Sequence, residues 1–329
     1  GDIVVTTPIF RKLKKARPEL IVGVVASPSN AELIRHDTTV DRIHVLGGNV
    51  FNVMRMIRDA RRENYDVVLN FIFNRTTSGG ILANLIAPRA VKVGQGAEKY
   101  RFYFNVLLQL LRGTNHMVEI LSSYVKTVFG ITIAPEERNF HIAVDGDSRA
   151  KVQRYLSRRG VLAPDEIDVA PFVVFNLSAT EEVRKISQAQ ALELLTYLTV
   201  ESSLRTIVIS APEDSKWRRK LVDDISNGCA LAFPEEGEAG LREVAWLIGK
   251  ARCVVTPDTS IIHISSAMGT PVLGFFTPLQ VTAEWVPFGV RNLTVLAEAG
   301  SPVSSIGWTK VRHALDEFVL PLAVPRKGT

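Results

Sequence analysis

The sequence contains little cysteine and no long apolar run. Only two cysteines, Cys229 and Cys253, occur among the 329 residues, far apart along the chain. This excludes a disulfide-rich scaffold, and we interpret both as small buried side chains of a protein in the reducing cytoplasm. No segment approaches the roughly 20 consecutive apolar residues that cross a bilayer. The cysteines and the six histidines form no cluster with metal-ligand spacing, so we expect no structural metal and no obligatory catalytic metal.

The composition is that of a globular protein with a basic surface. The length suits two α/β domains better than one core. A net charge of +5 favours acidic partners: a phosphorylated substrate, an anionic membrane face or nucleic acid. No aromatic-rich basic tract or zinc-finger spacing is present, so we expect no nucleic acid. The basic residues form small groups on predicted helices, where a solvated helix face is the simplest interpretation: 11–15, 58–62 and 218–220.

Strand-like and helix-like segments alternate along the chain, and several strands are continuously apolar. This pattern is typical of parallel sheets covered by helices on both faces, and it predicts an α/β fold with two facing Rossmann-like domains. We expect an N-terminal domain over 1–150, a connection over 151–170 and a C-terminal domain over 171–329 that ends in a closing helix over 304–319. Strands are predicted at 20–26, 42–46, 66–72, 172–177, 206–210, 253–256, 271–275 and 292–296, and helices at 53–64, 149–158, 188–200, 215–225 and 241–250.

The strongest motif lies between Cys253 and Pro271. A buried strand is expected to end at Thr256, and a helix to begin at Asp258 or Thr259, since both are good N-cap residues. Helix N-termini present free N–H groups and bind phosphates. Thr259 and His263 are four residues apart and share a helical face that can point at one diphosphate. The alternative is an ordinary strand–helix junction with a buried polar histidine.

This motif resembles the C-terminal signature of the lipopolysaccharide heptosyltransferase family of glycosyltransferases. The shared pattern is Asp-Thr-x-x-x-His followed by Ala-x-Gly-Thr-Pro, Phe276-Thr-Pro and Trp285-x-Pro287. The resemblance implies the GT-B architecture and a nucleotide-sugar donor bound around Asp258, Thr259 and His263. The family usually has glycine where Ser260 stands, and a serine adds a side chain close to the expected phosphate path.

The opening residues resemble the family's first strand–helix junction, Gly-Asp, an apolar pair and Thr-Thr-Pro. A Rossmann-type domain normally opens with a buried strand, and we expect that strand to lie upstream of Gly1. The resemblance makes Asp2 the general base, which takes a proton from the acceptor hydroxyl in an inverting transfer. The alternative is an aspartate that caps the first helix. The resemblance also assigns an acceptor-binding role to Thr6 in this motif.

The middle of the chain departs from the family pattern. The family places a lysine after the strand at 172–177, usually before Trp-Pro, to neutralise the donor diphosphate. This chain has Arg184 there, Lys185 beside it and no Trp-Pro, and arginine can bind phosphate bidentately. Thr180 is expected to orient the phosphate. Asp214, preferred over Glu213, is expected to bind the ribose hydroxyls; a helix N-terminal acid is the alternative.

Basic residues in the first half are expected to hold phosphates or carboxylates of the acceptor. These are Arg75, which follows the strand at 66–72, and Lys99 and Arg101, which follow Gly96. Ordinary surface cations are the alternative interpretation.

The resemblance implies transfer of heptose from an ADP-heptose donor to a lipid A/Kdo-type lipopolysaccharide core acceptor, with no cofactor beyond the nucleotide sugar. Such an enzyme is expected in the cytoplasm, peripheral at the inner face of the membrane. Two alternatives stay within the family: another donor or a protein acceptor, and a non-catalytic relative. A third, a nicotinamide-dependent oxidoreductase, requires a Gly-x-Gly-x-x-Gly turn, of which Gly94 and Gly96 supply only the first half.

Overall fold

The computed structural model describes residues 2–71, 76–161, 172–225, 228–278 and 282–323. The chain divides into two compact units: unit 1 comprises 1–5 and 139–329, and unit 2 comprises 6–138. The division between Arg138 and Asn139 falls earlier than the boundary expected at 150. Residues 162–170 of the expected connection lie outside the described residues, as do Gly1 and Arg75.

Unit 2 carries two short parallel sheets. Strand β1 (Gly23–Ala26) pairs with β2 (Arg42–Val45), while β3 (Val67–Leu69), β4 (Val91–Gln95) and β5 (Val106–Leu108) form a second sheet. The helices of this part of the chain are α1 (Asp2–Ala16), of which residues 2–5 belong to unit 1, α2 (Pro28–Ile34), α3 (Val50–Arg62), α4 (Thr76–Ile86) and α5 (Met117–Phe129), with a 3₁₀ turn at Glu98–Phe102.

A small apolar core joins two helices of unit 2. Met56 and Ala60 of α3 are buried in one cluster with Ile86 at the end of α4. The guanidinium of Arg61 donates to the carbonyl of Leu85 at 2.5 Å. Both residues lie in the last turns of their helices, so α3 and α4 end side by side, as expected of helices that each follow a strand of a parallel sheet.

Unit 1 is built on one parallel sheet of six strands. They are β6 (Val173–Asn176), β7 (Thr206–Ile209), β8 (Ala230–Ala232), β9 (Cys253–Pro257), β10 (Val272–Phe276) and β11 (Asn292–Leu296), in the spatial order β11-β10-β9-β6-β7-β8. β6, β7, β9 and β10 are buried along their whole length, as their continuously apolar sequences predict.

The helices predicted at 149–158, 188–200, 215–225 and 241–250 are found close to these bounds. The described α-helices of unit 1 beyond α1 are eight in number. They are α6 (Gly146–Arg158), α7 (Gln188–Thr196), α8 (Ser215–Ile225), α9 (Leu241–Lys250), α10 (Ser260–Ala267), α11 (Thr282–Trp285), α12 (Trp308–Ala314) and α13 (Leu320–Ala323). The expected closing helix over 304–319 begins later, at Trp308, and a π-helical turn (Leu315–Val319) continues it into α13.

Three strands escaped prediction: β4, β5 and β8. β5 and β8 have three residues each, too few for a period to be visible. β4 carries Lys92 in its interior, where a buried ammonium looks out of place in a strand pattern. That ammonium donates to the carbonyls of Pro88 and Ala90 at 3.0 and 2.9 Å, which satisfies it locally.

Asp145 ties helix α6 to helix α9. Its carboxylate accepts the backbone N–H of Ser148 at 3.0 Å, which caps α6, and it pairs with Arg242 at the start of α9 at 2.6 Å. The hydrogen bond from the Ser148 N–H, with the Ser148 hydroxyl and Arg242 adding to it, lowers the pKa of Asp145 to about 2. This link and the hydrogen bond from the Tyr155 hydroxyl to the carbonyl of Ala232 join α6 to unit 1. Asp145 and Asp147 have the Asp-x-Asp spacing of some metal sites, but Asp145 is engaged as a cap and an ion-pair partner.

We predict that Asp145→Ala lowers the free energy of unfolding by about 1 kcal/mol at neutral pH, because the cap is lost. The folded pKa lies below the unfolded value of 3.8, so the carboxylate stabilises the fold above that value and stops doing so as the pH falls through about 2. Urea unfolding of wild type and variant across this range measures the difference. Asp145→Asn keeps a capping oxygen and is the matched control. A difference for Asp145→Ala that stays constant down to pH 2 would contradict the assignment.

Candidate functional site

The strand order of unit 1 defines a preferred ligand position. All strands run parallel, but the order in which they are added to the sheet reverses between β6 and β9: β7 and β8 follow β6 on one side, and β10 and β11 follow β9 on the other. At such a point the connections leave the carboxyl edge in opposite directions and open a crevice there. The segments that follow β6 and β9 begin at Leu177 and Asp258, and both contain predicted site residues.

Polar side chains fix the start of helix α10 at this crevice. Thr259 is the N-cap, and its hydroxyl accepts the N–H of Ile261 at 3.1 Å. Asn176, buried at the end of β6, donates its side-chain amide to the hydroxyls of Thr256 at 3.0 Å and Thr259 at 3.4 Å. The helix begins where it was predicted to begin, and its first residue is Ser260.

Arg184 lies between two carboxylates. Its guanidinium pairs with Asp258 at 3.2 Å and with Glu181 at 3.1 Å. Burial raises the pKa of Asp258, and the charge of Arg184 opposes that rise. Among the described residues, the buried Nε of Arg184 has no hydrogen-bond partner. The structure therefore brings a guanidinium beside the N-terminus of α10, and Asp258, which the resemblance places at the donor site, is its ion-pair partner.

The other predicted donor residues, Thr180, Lys185 and Asp214, lie in the segments that follow β6 and β7. Asp214 accepts the hydroxyl of Ser178 at 2.5 Å, and that same hydroxyl accepts the N–H of Ala211 at 2.8 Å. These contacts join the loops that follow β6 and β7. Lys185 pairs with Glu182 at 2.8 Å, which raises the lysine's pKa, and Asp214 raises it further. Thr180 is exposed in the loop after β6.

His263 lies in an aromatic environment. Its side chain is 4% exposed. The ring packs edge-on against Trp285 with centroids 5.6 Å apart and against Phe140 at 6.2 Å, and Phe140 in turn stacks on Phe288. His263 is therefore buried, as the alternative of an ordinary strand–helix junction expects. Its role toward a phosphate stays a prediction.

The described residues predicted for catalysis and acceptor binding lie on two elements, helix α1 and the 3₁₀ turn after β4. Asp2 is exposed in the first turn of α1, and Thr6 is buried one turn later. Arg101 pairs with Glu98 within the 3₁₀ turn after β4, and the ammonium of Lys99 lies 5.2 Å from the centre of the Tyr100 ring. Both basic residues follow the carboxyl end of β4. Arg75 lies outside the described residues.

The turn required by the oxidoreductase alternative is not formed after β4. Gly94 lies within the strand, and Gly96 adopts a left-handed φ of +115°. The chain then enters a 3₁₀ turn at Glu98–Phe102, so no α-helix N-terminus follows the glycines to bind a pyrophosphate.

Three residues at the crevice escaped prediction: Asn176, Ser178 and Glu181. Asn176 carried a readable signal, since it is the polar end of an otherwise apolar strand. The roles of Ser178 and Glu181 depend on which loops meet in space, which sequence spacing does not reveal.

Within the described part of the chain, no group of three or more histidine, cysteine or acidic side chains is arranged to hold a metal ion. No described helix combines the length and apolar character needed to cross a membrane.

Comparisons with known proteins identify the family and the fold. A family model described as glycosyltransferase family 9 (heptosyltransferase) matches residues 53–303. Lipopolysaccharide heptosyltransferase 3 of Escherichia coli K12 is 24% identical over 294 residues, which cover 84% of this chain and 79% of the relative. A family 9 glycosyltransferase from Veillonella parvula has a TM-score of 0.78 at 17% identity, covering 98% of this chain and 94% of that one. E. coli heptosyltransferase WaaC, solved with ADP, has a TM-score of 0.72 at 17% identity and covers 96% of each chain.

These likenesses confirm the fold class predicted from the sequence, an α/β protein of the GT-B type with Rossmann-like domains. The family match spans well over half of the residues and includes Arg184, Asp214 and the β9–α10 junction. The chain therefore belongs to glycosyltransferase family 9, the heptosyltransferase family.

Proposed function

We propose that this glycosyltransferase transfers heptose from ADP-heptose to a lipid-linked lipopolysaccharide core saccharide, with inversion at the anomeric carbon, at the cytoplasmic face of the membrane. The observation that carries the proposal is the cation beside a helix N-terminus at the switch point of the unit 1 sheet. Arg184 and the first N–H groups of α10 supply complementary charge for a diphosphate. WaaC, whose structure contains ADP, shares this fold.

In this reaction the acceptor hydroxyl attacks the anomeric carbon of the donor. Asp2 takes the hydroxyl proton, the new glycosidic bond forms, and the bond from the anomeric carbon to the phosphate oxygen breaks. The electron pair goes to the departing nucleoside diphosphate. Arg184 and Lys185 neutralise the charge that develops there, so their contacts strengthen toward the transition state and serve catalysis as well as binding.

The hydrogen bonds at the crevice support a preformed donor site. Asn176 and Thr259 fix the start of α10, and Ser178 holds Asp214 at the end of β7. In a Rossmann-type sheet, an acidic residue in this position binds ribose hydroxyls. We assign that role to Asp214. Asp258 binds sugar hydroxyls, and Thr180 orients the diphosphate. The remaining donor residues bind the diphosphate: Arg184, Lys185, Thr259, Ser260 and His263. Acceptor binding is assigned to Thr6, Arg75, Lys99 and Arg101.

The proposal is tested first by a melting-temperature panel with ADP, UDP, GDP, CMP and NAD at matched concentrations. A ligand at 100 times its dissociation constant stabilises the folded protein by about 2.7 kcal/mol, which is readily detected. Stabilisation by ADP directs the next assay to heptose transfer. Stabilisation by another diphosphate replaces the donor, and stabilisation by NAD alone or by none of the five removes the donor assignment.

We predict that Arg184→Met raises the dissociation constant for ADP by about tenfold or more, because a charge-assisted hydrogen bond to phosphate contributes about 1.5–3 kcal/mol. Titration calorimetry measures the constant directly. Arg219→Met is the matched control, since Arg219 is an exposed arginine on α8 that is not among the residues assigned to the diphosphate. Equal affinity of the Arg184 variant and the control would remove Arg184 from the diphosphate site.

We predict that Asp2→Ala lowers turnover by about a hundredfold or more while ADP binding stays nearly unchanged, because a general base acts on the acceptor and not on the donor. Turnover is followed as ADP release in the presence of donor and acceptor. Glu19→Ala, which removes another exposed carboxylate from the same end of the sequence, is expected to keep full activity. Full turnover in Asp2→Ala would show that another group takes the proton.

A further inference from the structure

Unit 2 exposes large apolar side chains to an unusual degree. Among the large hydrophobic residues that the structure describes, five are more than 60% exposed, from 62% for Met54 to 88% for Phe102. All five belong to unit 2, and the next in rank, Ile21, is 58% exposed. Single exposed hydrophobics are ordinary, whereas a group of them marks an interaction surface. The five residues are Val50, Phe51, Met54, Phe102 and Leu111.

Each of the five follows the carboxyl end of a strand. Val50, Phe51 and Met54 lie in the first turns of α3, directly after β2. Phe102 ends the 3₁₀ turn after β4, and Leu111 comes three residues after β5. The side chain of Gln109, next to β5, donates to the carbonyl of Gly96, next to β4, at 3.2 Å, so these two segments adjoin.

The first turns of α3 lie toward the same edge of unit 2 as the segments that follow β4 and β5. β3 is followed by α4, so the N-terminus of α4 lies at the carboxyl edge of the sheet that contains β3, β4 and β5. The contact from Arg61 to the Leu85 carbonyl and the shared burial of Met56, Ala60 and Ile86 bring the last turns of α3 and α4 together, as expected of two helices that each follow a strand of a parallel sheet. The exposed start of α3 therefore lies toward the same edge as Phe102 and Leu111. We call these five residues the apolar rim.

Basic residues accompany the rim. The three segments 47–58, 96–102 and 109–113 contain five basic residues and one acidic residue. On α3, Phe51, Arg55 and Arg58 recur at helical spacing and line one exposed face, with the apolar residue at the tip and the cations behind it. Long basic side chains at such positions keep their charge among headgroups while apolar neighbours enter the acyl boundary.

We propose that the apolar rim is the surface by which the protein docks on an anionic lipid bilayer. The charge of the surrounding segments complements anionic headgroups. The apolar side chains come from three separate segments and alternate with cations, which suits a deformable lipid surface. The inference rests on the proposed function in one respect: a lipid-linked acceptor is presented at the bilayer, and the rim lies at the edge that also carries Lys99 and Arg101.

The test is co-sedimentation of the full chain with vesicles of phosphatidylglycerol and phosphatidylethanolamine, compared with vesicles of phosphatidylcholine. Wild type is expected to bind the anionic vesicles more strongly, and the triple variant Phe51→Ser, Met54→Ser, Phe102→Ser to lose at least about tenfold in partitioning. The matched control changes three exposed apolar residues elsewhere: Ile21→Ser, Leu192→Ser and Val200→Ser. Arg55→Gln with Arg58→Gln is expected to weaken binding and its dependence on salt.

Two readouts separate this inference from the proposed function. The rim variant must keep the wild-type melting temperature and its shift with ADP, which shows that it folds and binds donor. It is expected to lose transfer to a bilayer-embedded acceptor and to keep transfer to a deacylated, water-soluble acceptor. Transfer to the soluble acceptor without any vesicle binding by wild type would overturn the docking surface alone. Vesicle binding through the rim without transfer to either acceptor would uphold the surface and refute the proposed function.

Vesicle binding that is equal for the rim variant and the control variant would also overturn the inference. So would equal binding of wild type to anionic and to phosphatidylcholine vesicles, because the charge argument would then fail.

Discussion

The reversal of strand order between the parallel strands β6 and β9 is the constraint on which unit 1 depends. The central strands are buried on both faces, so the sheet interior has no place for polar chemistry. Polar groups are confined to the carboxyl edge, where the loops after β6 and β9 leave in opposite directions. Each must be satisfied there, since an unpaired buried polar group is destabilising. The amide of Asn176, shared between Thr256 and Thr259, meets this demand and fixes the start of α10 at the same time.

The ion pair of Arg184 and Asp258 also satisfies groups at this edge, and burying a charged group without a partner costs more than burying a neutral one. Burial disfavours the charged form of Asp258, and Arg184 opposes that effect from 3.2 Å. A buried or half-buried pair of this kind contributes little net stability, because desolvation offsets the attraction. Its value lies in position: Glu181 and Asp258 hold a long flexible side chain in one place. A guanidinium held beside the first turn of α10 needs less ordering when it meets an anion, which is the physical meaning of a preorganised site.

The sequence predicted best those elements whose structure is set by their own residues. The β9–α10 junction, α8 and α9 were predicted closely, because buried strands, caps and helical periods are local properties. Strands β5 and β8 were missed because three residues show no period, and their pairing is decided by neighbours in space. The unit boundary was expected near 150, but α6 packs in unit 1 through the pair of Asp145 with Arg242 and the contacts of Tyr155 with Ala232 and Phe233. Arg184 was proposed through the family resemblance, whereas its pairing with Glu181 and Asp258 required the structure.

The two units differ in what their strand ends present to solvent. In unit 1 the carboxyl edge carries hydrogen-bonded polar groups and a fixed cation, and no described large hydrophobic of that unit reaches the exposure of the apolar rim. In unit 2 the same kind of edge carries the rim and its arginines. On the proposed function this contrast has one cause. A nucleotide sugar is a soluble anion and requires charge and hydrogen bonds, whereas a lipid-linked acceptor is anchored in a bilayer. A protein that brings these substrates together must present one polar edge and one apolar, basic edge, and an apolar rim otherwise exposed to water would be a liability for solubility.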